Sequence, residues 1–262
     1  MAPTTFRKLQ DKHVLVIGGS AGIGLGVAEG ALADGAWVTV ASSTQARLDK
    51  AVNTLKAKYG TSAPVQGFLC NLTAMDVEAR IDSLFKAATT ASGAGPIDHV
   101  VFTAANSTAI GSLSDMTAES VLAGAQMRVV VPILLAKVAQ RYLPKSNTSS
   151  LTFTAGQATE NPPPGWALAV AYAGSVVTLT RALAVEMAPL RVNVVQPGLV
   201  RTDAWNMMPV EQREAFFAEV EKKLPVGAMG RPEDVAEAYL WLMKDRYVTG
   251  TSANSNGGAL LI

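Results

Sequence analysis

Val14-Leu15-Val16-Ile17-Gly18-Gly19-Ser20-Ala21-Gly22-Ile23-Gly24 is the stretch that decides the fold of this chain. An unbroken apolar run, Val14 to Ile17, meets a glycine-rich turn, and apolar residues at helical spacing resume from Leu25 to Leu32. The pattern predicts a buried strand, a tight turn and a helix. In such a turn the first N–H groups of the helix point outward at the positive end of its dipole, where a phosphate binds without a charged side chain. Gly18, Gly22 and Gly24 lack a Cβ, which permits positive φ, close approach of a diphosphate and close packing of helix on strand. Ser20, Ala21 and Ile23 join them as candidate cofactor contacts. Glycine-rich turns also close ordinary strand–helix joints, so the rest of the chain must decide.

Working outward, Ala36 to Ala41 is a β-branched run that reads as a second strand, followed by Ser42-Ser43-Thr44. In dinucleotide folds an acidic residue at this point bonds the 2′-hydroxyl of NAD, whereas hydroxyls with a nearby cation suit a 2′-phosphate. Ser42 and Ser43 stand where the acid would be and Arg47 follows within a turn, which predicts NADP(H). The competing reading makes Ser42 a helix cap and Arg47 part of a solvated face.

Pro64 to Leu69 reads as a third strand leading into Asn71 and Leu72, and Met75 to Thr89 as a helix. His99 to Asn106 is a fourth strand running into the small residues Ala104 and Ala105. Thr117 to Tyr142 is one long helical region in which Pro132 predicts a kink. Ser150 to Ala155 is a fifth strand, and Asn161 to Trp166 a proline-rich loop that cannot be helical. Ala167 to Met187 is apolar almost all round, as a buried helix or a subunit face would be. Arg191 to Gln196 is a sixth strand stopped by Pro197-Gly198, and Arg201 to Leu224 reads as a mobile segment. A last helix starts near Pro232, and Gly250 opens a terminal strand. This alternation predicts an α/β fold: a Rossmann-like, doubly wound parallel sheet of about seven strands in a single domain. The turns at Gly18, Ser42, Asn71, Ala104, Ala155 and Gly198 would then face one crevice.

Composition narrows the partners. With 22 basic and 21 acidic residues, the formal charge of +1 gives no electrostatic argument for nucleic acid or an anionic membrane. A small-molecule substrate is expected. The lone cysteine, Cys70, and an N-terminus without an apolar core favour a cytoplasmic setting. No uninterrupted apolar run approaches the ~20 residues of a membrane span. His13 and His99 stand apart from other ligands, so no metal is expected.

The Gly-x-x-x-Gly-x-Gly spacing, the Ala104-Ala105 strand end, Pro197-Gly198-Leu199-Val200-Arg201-Thr202 and Gly230-Arg231-Pro232-Glu233-Asp234 together resemble the short-chain dehydrogenases/reductases, from about Lys12 to Leu261. The resemblance implies that Gly198, Val200 and Thr202 contact the nicotinamide side, and that Asn71 and Leu72 flank adenine. It also implies four catalytic positions, a serine, a tyrosine, a lysine and an asparagine, which fall on Ala155, Ala169, Ala173 and Arg128 here. The usual relay groups are absent. Tyr172 lies three residues past the tyrosine position, roughly 300° further around a helix, and reads as core or interface.

Without a tyrosine to protonate a carbonyl oxygen, hydride must go to a substrate that needs no proton at that moment, such as an iminium cation. Some fungal reductases share the arginine at Arg128, the Thr154-Ala155-Gly156 pattern and the Pro164-Gly165-Trp166 loop. Among the members this chain resembles are the NADPH-dependent reductases of bicyclo[2.2.2]diazaoctane indole alkaloid pathways, which reduce an iminium and assist a Diels–Alder closure. The aspartate of their loop is Pro163 here.

Arg128 and Trp166 are therefore the candidate catalytic residues, the first to bind a substrate carbonyl or carboxylate, the second to stack on a flat ligand. An ion pair of Arg128 with Glu119, Asp115 or a subunit neighbour, and plain packing of Trp166, are the alternatives. Met207, Met208, Phe216 and Phe217 read either as a substrate lid or as one face of an amphipathic helix. Three functions follow: an NADP(H)-dependent oxidoreductase of fungal secondary metabolism, an isomerase or cyclase using the same pocket, and a non-catalytic NADP-binding protein. The resemblance further implies a homodimer or homotetramer.

Overall fold

The computed structural model describes residues 6–90, 93–105 and 111–262. Its strands are β1 (His13–Ile17), β2 (Trp37–Ser42), β3 (Val65–Leu69), β4 (His99–Phe102), β5 (Ser150–Thr154), β6 (Arg191–Pro197) and β7 (Ser252–Ser255). They form one parallel sheet of seven strands in the order β3-β2-β1-β4-β5-β6-β7. Every residue of β1 is buried, because helices cover both faces and leave no side on which a polar residue meets water. The helices are α1 (Gly22–Ala33), α2 (Gln45–Tyr59), α3 (Val77–Thr90), α4 (Ala118–Ala125), α5 (Val131–Tyr142), α6 (Ala167–Glu186), α7 (Val210–Lys223) and α8 (Pro232–Lys244).

Alternate residues of each strand feed different cores. Leu15, Phe153 and Val194 meet Ile81 and Phe85 of α3, Leu135 of α5 and Val176 of α6. Val16, Val40 and Val195 meet Val27 of α1, Leu48 of α2 and Tyr239 of α8. Strand order reverses between β1 and β4, which opens a crevice at their carboxyl ends.

Four expectations are corrected. The single helix over 117–142 is instead α4, a π-helical turn over Gln126–Val130, and then α5. Pro132 has no N–H to donate, and its ring excludes the carbonyl four residues back, that of Arg128. The helix accommodates this with a wider turn rather than a plain kink, and Ser175 Oγ on α6, 2.7 Å from Tyr172 O, also lies 3.3 Å from the released Arg128 carbonyl.

The segment read as mobile is ordered, with a short 3₁₀ turn over Asp203–Met207 followed by α7. Its charged residues mask an aromatic cluster in which Trp205 packs on Phe216 and Phe217 at 5.3 and 5.8 Å between ring centroids. Arg201 lies 4.5 Å over the Phe217 ring and pairs with Glu214 and Glu221. These aromatics face inward rather than forming an open lid, and only Met207 is fully exposed among them.

β4 ends at Phe102, short of Ala104, and Asn106 lies outside the described residues. The helical stretch Ala118–Tyr142 and α6 are each long and apolar enough to cross a membrane, contrary to the estimate from uninterrupted runs. Only a minority of each apolar stretch is buried, and Val121, Leu122, Val130, Ile133 and Val185 are exposed.

His99 on β4 illustrates the cost of burial. Its Nδ1 meets Ser150 Oγ at 2.9 Å, and burial, aided by the charges of Arg191, Lys12 and Arg246, pushes its pKa from 6.5 to about 3. The unfolded chain takes up a proton below pH 6.5 that the folded chain refuses, so this contribution is complete above 6.5 and is lost as pH falls toward 3. Its loss is expected to lower stability by about 1.4 kcal/mol per pH unit in that window. Urea titrations at stepped pH should show a flatter decline for His99→Gln than for the wild type.

Candidate functional site

The first turn of α1 is open to an anion. The helix begins at Gly22, ahead of the apolar spacing that starts at Leu25, with Ala21 as its N-cap. No side chain caps it, and no acidic residue stands in its first turn. Among the described residues the amides of Gly22, Ile23 and Gly24 have no acceptor. Three unmet donors at the positive end of a helix dipole fit a diphosphate.

The turn is seated on β4 with no room for a side chain. Gly18 has φ +92°, its N–H donates to Ala41 O at 3.0 Å, and a Cβ there would lie 2.5 Å from the Ala104 nitrogen. A Cβ on Gly24 would strike the Gly18 carbonyl oxygen. Gly22 faces Thr202, so the loops after β1 and β6 abut although they are distant in sequence.

At the ribose end, Ser42 is buried and its hydroxyl meets Ser20 Oγ at 2.9 Å. That bond ties the glycine turn to the end of β2. The helix-cap alternative for Ser42 fails, since Thr44 occupies the N-cap of α2 and makes no side-chain cap bond. Ser43 and Arg47 are exposed, and Arg47 has no ion-pair partner among the described residues.

Asn71 Oδ1 accepts from Thr73 N at 3.0 Å and Thr73 Oγ1 at 2.8 Å, closing its own turn, while the Leu72 side chain belongs to the core. At the other end Gly198 N donates to Ser255 O at 2.9 Å, and buried Val200 bridges to Gly230. Ala104 is half-buried against Ile17 O, to which its N–H donates at 3.1 Å, and Ala105 is exposed.

The positions expected to carry catalysis are apolar or unpaired. Ala155, Ala169 and Ala173 are partly buried and offer no proton. Tyr172 is core: its hydroxyl donates to the Val121 carbonyl, its ring packs on Gly124, and burial raises its pKa. Arg128 sits in the π-turn, half-buried, with no side-chain partner among the described residues, and burial lowers its pKa. The pairing with Glu119 or Asp115 is not formed. Trp166 is the N-cap of α6, half-buried, with its N–H on Pro163 O at 3.2 Å. Trp166, Ala169 and Ala173 share one side of that helix.

The sequence reading missed one polar network. Gln196 Nε2 donates to Glu160 Oε1 at 2.7 Å, Asn254 Nδ2 donates to the same oxygen at 3.4 Å, and Thr159 Oγ1 donates to Gln196 Oε1. Its one sequence signal is Gln196 itself, a polar residue following the apolar pair Val194-Val195 near the end of β6. A cavity of about 520 Å³ nearby is lined by Gln157, Asn161, Leu199, Val220 and Leu224. A larger groove of about 780 Å³ runs between α1, α7 and α8, and of the expected cofactor residues it includes only Gly22 and Thr202. Among the described residues no cluster of metal ligands occurs, and burial pushes the Cys70 thiol up to about 11.

A family model described as an SDR-like Rossmann domain matches residues 6–262. The chain belongs to the short-chain dehydrogenase/reductase family. The short-chain dehydrogenase/reductase ATR9 of Stachybotrys chlorohalonatus is 41% identical over 253 residues, covering 97% of this chain and 98% of that protein. The structure of MalC reductase/Diels–Alderase from Malbranchea aurantiaca superposes with a TM-score of 0.92 at 38% identity, covering 98% of this chain and 100% of that one. A small-chain dehydrogenase solved in complex with NADPH gives a TM-score of 0.75 at 25% identity, with 96% and 99% covered.

Proposed function

We propose that this chain is an NADPH-dependent reductase of fungal secondary metabolism that acts on a polycyclic, alkaloid-like substrate. The single observation that carries the cofactor reading is the uncapped first turn of α1, tied by Ser20 to a β2 end that lacks an acidic residue. Ser42, Ser43 and Arg47 suit a 2′-phosphate, and the NADPH complex of a related fold is in keeping with this. When bound, the cofactor supplies a hydride. Ala155 and Ala169 supply no proton, so the electrophile best matched to this site is an iminium carbon, which hydride alone neutralises. Arg128 would orient a polar group of the substrate and Trp166 would cover its flat face.

Calorimetric titration with NADPH and NADH side by side tests the cofactor. NADPH is expected to bind about tenfold more tightly, and Arg47→Ala to remove most of that margin without affecting NADH. Equal affinities would overturn the assignment.

A second reading, a cyclase or isomerase without net redox chemistry, is favoured by the missing relay groups and by the name of the MalC relative. Turnover that persists without nicotinamide would select it. The exposed apolar residues of α4 to α6 further support a homodimer or homotetramer, which light scattering of the purified chain would reveal.

A further inference from the structure

We propose that Glu160 binds the positively charged nitrogen of the substrate. The proposal rests on the reductase reading and adds to it the residue that holds the cationic substrate. Its first support is register. Thr154 pairs with Val195, and Ala155 N donates to Val195 O at 2.9 Å, so Gln196 is the neighbour of Ala155 across the strands. Both side chains extend the face that carries Phe153 and Val194, the face covered by α6. The network around Gln196 therefore stands beside the place where the family's serine is missing.

The second support is the state of the carboxylate. Oε1 of Glu160 receives amide donors from β6 and β7, at 2.7 Å from Gln196 and 3.4 Å from Asn254, which fix its position. Oε2 receives no hydrogen bond, and no cation pairs with the group, among the described residues. Glu160 is exposed, so its charge is held in place without being neutralised. Gln157 and Asn161 on the same loop line the cavity of about 520 Å³, whose other walls are the apolar Leu199, Val220, Leu224, Ala259 and Ile262 together with Lys223. An anchored anion beside a wall that is apolar except for Lys223 suits a greasy cation.

The chemistry assigns Glu160 to binding rather than to the barrier. In the reaction a hydride passes from the reduced nicotinamide to the iminium carbon, the C=N π pair becomes the nitrogen lone pair, and NADP⁺ and a neutral amine result. No proton moves. A carboxylate near the nitrogen stabilises the cationic substrate more than the discharging transition state, so it lowers KM without raising kcat.

The test uses the N-methyl-3,4-dihydroisoquinolinium cation and the neutral bicycle 1-tetralone, titrated calorimetrically into wild type and Glu160→Gln, with and without NADP⁺. The glutamine keeps an oxygen for Gln196 and Asn254 and removes only the charge. Cation affinity is expected to fall about tenfold, and tetralone affinity to stay within about twofold. With NADPH, KM for the cation should rise by the same factor while kcat holds or increases. Equal cation affinity in both proteins, parallel loss of both ligands, or failure of wild type to bind the cation would each overturn the proposal. Absence of NADP(H) binding alone would instead remove the reductase reading, since the titrations without nucleotide still report on Glu160.

Discussion

Replacing Gly18 with alanine is expected to cost about 4 kcal/mol of stability and to weaken NADPH binding by about a hundredfold. Two separate penalties meet at this residue. Its φ of +92° is a conformation that side-chain-bearing residues rarely adopt, and its Cβ would sit 2.5 Å from the Ala104 nitrogen and 2.8 Å from the Ala104 Cα. Those neighbours are main chain at the end of β4 and cannot rotate aside. Relief requires the turn to lift from the sheet, which moves the unmet amides of Gly22, Ile23 and Gly24 away from the diphosphate. Gly60 is the internal control: its φ is +97°, yet nothing lies within 4 Å of its missing Cβ. Gly60→Ala should show the backbone penalty alone, about 1 kcal/mol, with NADPH affinity unchanged. Urea midpoints and calorimetry on the two variants separate the effects; equal losses in both would show that close approach is not what Gly18 provides.

Arg191→Met should destabilise the chain by a similar amount, about 4 kcal/mol, with no direct effect on the cofactor cleft. Arg191 opens β6, is buried, and donates to four carbonyls: Asn147 at 2.7 Å, Leu242 at 2.5 Å, Met243 at 2.8 Å and Val248 at 3.2 Å. Leu242 and Met243 belong to the last turn of α8, whose carbonyls have no helical donor and carry the negative end of the dipole. One guanidinium thus satisfies the helix end and stitches it to the loops before β5 and β7. Burial lowers its pKa to about 10, which still leaves the guanidinium charged at neutral pH. Lysine offers a single ammonium without the fork and should recover little of the loss. Chemical denaturation of Arg191→Met and Arg191→Lys measures both; a loss below about 1 kcal/mol would mean that water satisfies these carbonyls instead.

Much of this was legible in the chain because it is written in local pattern. The run Val14 to Ile17 is apolar throughout because β1 is buried on both faces, and the glycines after it mark a backbone that approaches β4. The Ser42 ambiguity needed coordinates, since a hydroxyl that could cap α2 turns out to bond Ser20, distant in sequence. α7 was hidden for a different reason: Glu and Lys fill most of its surface, and its few aromatics pack on Trp205 and under Arg201 rather than forming a regular stripe. The Glu160 network joins residues from a loop and two strands, and no spacing rule in one sequence connects Glu160 to Asn254.

The wide turn over Gln126–Val130 has an evolutionary corollary. Such a turn is an α-helical turn with one residue added, so the chain carries the equivalent of a single-codon insertion ahead of Pro132. Excising that residue would rewind α4 by about 100° relative to α5 and carry Gly124 off the Tyr172 ring. Keeping the residue but losing Pro132 would supply an amide for the Arg128 carbonyl, which the proline leaves without its helical donor. The proline and the extra residue should therefore be gained or discarded as a pair across descendants of this gene.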